Sequence, residues 1–252
     1  MKKLFVFCAL LIMFISSQAF GTTIPFDDTS HYWPTWNNGT ADDGKDTIEI
    51  PNFTGGGVSV SSSGYLEQIW FNYKADDYLN IWSVLKPGAL FIDVGANDKW
   101  DYFVTTNGQT GAGNYDLYSI DLSSKKGVND STYILSGKDR TGIWSNYYIR
   151  DDHPIGVNLQ NPTIIGTAFF SGWVTPTLKG EKVTSLFDFS GLQGGGIYLG
   201  SEDFIISWTV NCANDVVYER IKNPVPEPTT LLLLGTGLIG LSTFARKRFG
   251  KK

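Results

Sequence analysis

The chain has 252 residues, with 20 Lys and Arg against 25 Asp and Glu for a net charge of −5, and only two cysteines and two histidines. An acidic balance of this kind repels nucleic acid and anionic membrane surfaces, which sets both aside as partners. So few Cys and His, without zinc spacing between them, exclude a zinc site and an internal disulfide framework, and no Gly-x-Ser-x-Gly elbow marks a hydrolase nucleophile.

At the N-terminus, Lys2 and Lys3 precede an apolar run from Leu4 to Ile15, and Ser17-Gln18-Ala19 follows. This is the layout of a secretory signal peptide over 1–19: a charged start, an apolar middle, and small residues Ser17 and Ala19 where signal peptidase reads. Export through the Sec translocon and cleavage after Ala19 are expected, with Gly21 the second choice. An uncleaved anchor is the other reading, and the run is short for one. Cys8 lies mid-run without small residues before it, which argues against a lipoprotein.

Residues 20–222 read as one ectodomain of short apolar runs separated by Gly, Asn, Asp and Ser. Their length and their β-branched and aromatic content predict strands near 47–50, 58–61, 65–73, 90–94, 102–106, 117–122, 133–135, 147–150, 163–173, 182–189, 196–199 and 204–212. A helical turn is expected only over 76–85, closed by Pro87-Gly88. Turn residues between most runs favour hairpins over crossover helices, so the expected fold is all-β, a two-sheet antiparallel β-sandwich of jelly-roll type. In one hairpin, 90–94 turns through Gly95-Ala96-Asn97-Asp98-Lys99 into 100–104, and Phe91, Tyr102 and Val104 are expected to share a face.

Candidate site residues within this ectodomain are sparse. His31 and His153 read as solvated loop residues rather than members of a catalytic triad, and Cys212, the cysteine left after signal cleavage, reads as buried or paired with another molecule. Calcium needs six to eight clustered oxygens, which Asp42, Asp43 and Asp46, or Asp93, Asp98 and Asp101, offer only in part. The plainer reading of both stretches is a turn in which Asp and Asn bond their own backbone. Beyond this possible Ca²⁺, no cofactor is expected. Among eight tryptophans, Trp70, Trp173 and Trp208 lie in apolar strands and read as core. Trp33, Trp36, Trp144 and Tyr147 lie in polar, loop-like stretches, where an exposed ring can stack on a sugar face.

The C-terminal segment carries the strongest signal. Val225-Pro226-Glu227-Pro228, within a linker over 223–228, is followed by an apolar run over 229–245 and then by Arg246, Lys247 and Arg248 in a basic tail over 246–252. A Pro-Glu-Pro triplet cannot be helical and lacks two N–H groups, so it stays extended and legible to another protein. The seventeen residues of this run reach about 25 Å as a helix, near the lower limit for a single membrane span. The basic cluster is a cytoplasmic stop under the positive-inside rule, which puts everything before Thr229 outside.

This order of triplet, apolar helix and basic cluster, at 226–228, 229–245 and 246–248, resembles the PEP-CTERM sorting signal of exosortase substrates. The resemblance covers about the last tenth of the chain. It implies export in a Gram-negative bacterium, transient retention in the inner membrane with a periplasmic ectodomain, cleavage by exosortase near the triplet, and delivery to the cell surface or biofilm matrix. Segments such as 50–56 and 208–215 also look similar to ectodomains of other PEP-CTERM proteins of unassigned function, a likeness that carries no activity. Removing both ends leaves 13 basic against 24 acidic residues, a net charge of −11.

Three function classes follow. The first is a non-enzymatic surface or matrix protein contacting exopolysaccharide through loop aromatics and acidic residues. The second is a secreted carbohydrate-active enzyme, which needs two carboxylates about 5 to 9.5 Å apart across a groove. The third is a purely structural matrix component.

Overall fold

The computed structural model describes residues 21–28, 51–75, 85–123, 133–136, 154–158, 163–210 and 215–223, together with Gly237. Residues Thr22–Asn223 gather into one compact unit. Thirteen strands run through its described residues: β1 (Thr22–Phe26), β2 (Asn52–Val60), β3 (Tyr65–Lys74), β4 (Leu90–Val94), β5 (Lys99–Val104), β6 (Gly113–Ser123), β7 (Tyr133–Ser136), β8 (Pro154–Asn158), β9 (Thr163–Phe170), β10 (Lys182–Asp188), β11 (Ile197–Tyr198), β12 (Phe204–Thr209) and β13 (Val216–Ile221).

The all-β antiparallel expectation holds, but the two separate sheets do not. Eleven strands form one sheet in the order β1-β2-β3-β10-β9-β6-β5-β4-β12-β13, with β11 added beside the start of β3, while β7 and β8 pair apart from it. The sheet curls until its ends approach: β13 comes close to β1 and β2. The N–H of Phe53 in β2 donates to the Asp215 carboxylate beside β13 at 2.6 Å. Register slips supply curvature, at Phe53/Gly56 and Ser59/Val60 between β2 and β3, at Trp100/Tyr102 between β5 and β6, and at Leu117/Tyr118 between β6 and β9. Each bulge bends its strand and raises the local twist. Gly55 occupies the first with φ +102, where a Cβ would stand 2.3 Å from the Phe26 carbonyl oxygen.

Strand alternation sends one face of this sheet into a core built around Trp208. Its indole lies 4.6 Å from Phe71, 5.5 Å from Phe53 and from Phe187, and 5.9 Å from Trp173 between ring centroids, and its N–H donates to the Gly88 carbonyl at 3.2 Å. Trp173 stacks flat on Tyr73 at 4.4 Å. Of the three tryptophans expected in the core, Trp208 and Trp173 are buried, and Trp70 is half-buried with its ring against Gly57, where a Cβ would meet it at 2.2 Å.

A second apolar cluster forms on the opposite face of β4, β5, β12 and β13, from Phe91, Trp100, Phe103, Ile205 and Tyr218. Every side chain of β12 is therefore buried, odd and even alike. The hairpin register pairs Leu90 with Val104, Phe91 with Phe103 and Ile92 with Tyr102. Tyr102 and Val104 thus face the main core beside Leu90 and Ile92, and Phe91 faces the second cluster beside Phe103. This corrects the expected sharing of a face by Phe91, Tyr102 and Val104, because directly paired residues have the same parity here and a face alternates with period two.

Three strands escaped the sequence reading. β1 contains Pro25 and lies at the sheet edge, where a missing N–H is tolerated. β8 begins at Pro154, and β13 follows too closely on the predicted strand 204–212 to be separated from it by composition. The predicted strands at 47–50 and 147–150, and positions 76–84 of the helical turn, lie outside the described residues.

Candidate functional site

Most predicted site residues lie outside the described residues: Ser17, Ala19, His31, Trp33, Trp36, Asp42, Asp43, Asp46, Trp144, Tyr147, His153, Cys212, Val225, Pro226, Glu227, Pro228, Arg246, Lys247 and Arg248. The second acidic stretch is described, and it is a structural turn. Asp93, at 1 % exposure, closes β4 and accepts N–H groups from Asn97 at 3.1 Å and Asp98 at 3.0 Å, one on each carboxylate oxygen. Asp101 accepts the Val94 N–H at 2.7 Å. These bonds hold a loop in which Gly95, Ala96 and Asp98 all have positive φ, of 91°, 49° and 66°. Alanine in that region is strained by about 1–2 kcal/mol, and the carboxylate bonds offset it.

Burial pushes the Asp93 carboxyl above its ordinary range; the two N–H bonds oppose that rise, and the charges of Asp101 and Asp98 add to it. Asp101 is also raised, by burial first. Tyr218, buried above this loop's acids, is pushed up to about 12 by burial, then by Asp98 and Asp93. Among the described residues no group of three or more His, Cys, Asp or Glu is arranged to hold a metal ion.

A concave feature arises elsewhere, from a pairing that stops early. β10 pairs with β9 at only Phe187↔Phe170 and Asp188↔Phe169, although β9 continues back to Thr163. Residues 189–196 turn across the gap and are pinned to both sides. Leu192 rests against Gly166 of β9, where a Cβ would meet its methyl at 2.4 Å. On the β3 side, Gly196 packs so close that a Cβ would stand 2.3 Å from the Leu66 carbonyl oxygen. β11 then pairs with Tyr65 and Leu66 of β3.

Between these supports lies a groove of about 740 Å³ lined by Tyr65, Tyr102, Ile165, Gln193, Gly194 and Tyr198 among others, none of them charged. Tyr198 is 62 % exposed, and its ring tilts against Tyr65 with centroids 5.1 Å apart. Ile165 is exposed, at 46 %, on the β9 side. Gly194, with φ +91, lies against the Tyr65 ring, 2.7 Å from where its Cβ would be. The exposed aromatics expected from sequence, Trp33, Trp36, Trp144 and Tyr147, do not include Tyr198. The signal for this groove was the glycine run 194–196 followed two residues later by a tyrosine on a two-residue strand.

The described fold ends in a polar clamp. Asn223, buried at 7 % exposure, donates its N–H to Asp203 at 3.2 Å and its side-chain amide to the Gly200 carbonyl at 3.2 Å. Asp203 also pairs with Arg220 of β13 at 3.2 Å. Among the described residues no helix is long and apolar enough to cross a membrane, and of the run 229–245 only Gly237 is among them.

Beginning one residue past that clamp, residues 224–248 match the family model described as the PEP-CTERM protein-sorting motif. No curated protein and no solved structure matches the chain.

Proposed function

From the PEP-CTERM sorting motif that this chain carries at residues 224–248, we propose an exported protein that is held transiently in the inner membrane, cut by exosortase near Pro226-Glu227-Pro228, and delivered to the cell surface or biofilm matrix. The motif is the observation that carries this reading. The apolar run 229–245 holds the triplet at the outer membrane face, and Arg246, Lys247 and Arg248 keep the tail cytoplasmic. The Thr22–Asn223 unit is the cargo, and its surplus of carboxylates keeps it soluble beside anionic lipid. In the matrix it contacts exopolysaccharide.

Fractionation of the producing cells tests the sorting step. Wild-type protein should appear outside the membrane fraction without its last two dozen residues, whereas Glu227→Ala should accumulate in the membrane at full length. Mass spectrometry of the released form gives both termini. Released protein that still carries residues 229–252 would overturn the proposal.

A further inference from the structure

The groove beside Tyr198 has the size and composition of a ligand site. Small-molecule pockets span about 300–1,000 Å³, combine aromatic walls with a few polar groups, and recur at the mouths of β-barrels. This groove measures about 740 Å³, and the early parting of β9 from β10 opens it in the wall of a nearly closed sheet.

Its chemistry narrows the occupant. In a chain where 18 % of residues are charged, the lining carries no charge, which disfavours phosphorylated, anionic or cationic ligands. A purely apolar ligand is also a poor match. Three tyrosine hydroxyls and the Gln193 amide present donors and acceptors around the walls, and an acyl chain would desolvate them without replacing their bonds to water. What satisfies both faces of this lining is a ring with polarised C–H groups on one side and hydroxyls around its edge. The C–H groups meet the electron-rich face of a tyrosine, and the hydroxyls bond to the polar rim.

We propose that this groove binds a segment of neutral polysaccharide, with a sugar ring stacked on Tyr198 and adjoining hydroxyls bonded to Gln193 and the tyrosine hydroxyls. The proposal rests on the reading that the folded unit meets exopolysaccharide once exported. The ring has support behind it: Tyr65 lies against Tyr198 from one side, and Gly194 and Gly196 allow the loop to lie directly on β3. Tyr198 thus presents a 62 % exposed ring already seated against Tyr65, an arrangement that lowers the ordering cost of binding.

The test is affinity electrophoresis of the full-length protein in mild detergent and of the released form, through gels containing dextran, galactomannan or the producer's own exopolysaccharide. Wild-type protein should be retarded by at least one of them. Tyr198→Ala should weaken that retardation about ten-fold, and Tyr198→Phe should retain most of it because the stacking face remains. Phe169→Ala, which removes an exposed ring of β9 that does not line the groove, should leave it unchanged. Near-ultraviolet circular dichroism checks that each variant is folded; if Tyr198→Ala is not, Gln193→Ala should show a several-fold loss in its place. Absence of retardation in every gel, or retardation untouched by removing the Tyr198 ring, overturns the proposal. Release from cells, measured in parallel, is independent of the groove. Normal release without sugar binding therefore sinks this inference alone, and sugar binding without release sinks the sorting reading alone.

Discussion

The backbone N–H of Phe53 and the carboxylate of Asp215 meet at 2.6 Å across 162 residues of sequence and join the two ends of the curled sheet. Both partners are buried, and the Thr209 hydroxyl donates to the Asp215 carbonyl, so the β12–β13 connection is held at the same point. Phe53 itself lies 5.5 Å from Trp208, which ties closure of the ladder to packing of the core.

Asp215→Ala should therefore lower stability by about 2–3 kcal/mol, because a buried N–H loses its acceptor. In a domain of this size that is a fall of roughly 4–12 °C in Tm. Asp215→Asn, which keeps one carbonyl acceptor, should lose less. Urea and thermal denaturation of the two variants measure the difference; equal stability for Asp215→Ala and wild type would show that closure does not depend on this bond.

Tyr73 contributes, with Tyr218, to the pH dependence of stability in alkali. Its hydroxyl accepts the Val174 N–H at 3.0 Å and lies 2.9 Å from the Ser185 hydroxyl, which donates to the Gly172 carbonyl at 2.9 Å. Burial pushes this phenol up to about 12, and the bonds to Ser185 and Val174 only partly oppose it. The folded state then holds a proton that the unfolded chain releases near pH 10. Stability from this group is present below pH 10 and is lost as pH rises from there towards 12, by about 3 kcal/mol at most. Tyr73→Phe should be about 1–3 kcal/mol less stable at neutral pH through its lost hydrogen bonds, yet should decline less steeply above pH 10. Denaturant midpoints between pH 8 and 12 provide the comparison.

On the acid side, Asp93 acts opposite to most carboxylates. Its folded value lies above the unfolded one, so its contribution is largest below about pH 4 and diminishes as pH rises through the raised value. Asp93→Asn keeps one acceptor and turns an amide N–H toward the second backbone donor, at a cost of about 1–3 kcal/mol. The penalty should be larger at pH 4 than at pH 7. Asp188 runs the other way: burial raises it, but bonds from Ser190 and Gln68 win and hold it below its ordinary value. Its contribution is present above pH 4 and fades as pH falls further.

Local patterns in the sequence were enough to recover β3, β4 and β10 to within one residue, and β9 and β12 from their first residue with ends three residues too long, because each is a β-rich run bounded by Gly, Pro or Asp. Which strands become neighbours was not legible. β3 beside β10 and β4 beside β12 are matched by side-chain fit across more than a hundred residues, and alternation alone is compatible with a sandwich or with one curled sheet. The expectation that Phe91 would face Tyr102 failed for a related reason, since a one-residue choice of register inverts a face and Asp93 sets that register through its turn. The sorting segment was legible because proline, apolar length and terminal basic charge act locally. The Tyr198 groove was not, because it exists only where β9 and β10 part, a fact about two strands that neither states alone.

The Asn223 clamp bears on what happens when the tail is severed. Asn223 and Asp203 join the end of β13 to the turn between β11 and β12, so the last described residue is fixed by its own polar contacts as well as by the ladder. In the proposed sorting, a cut beyond position 223 removes none of these bonds, so the released cargo keeps the whole hydrogen-bonding pattern of the described fold.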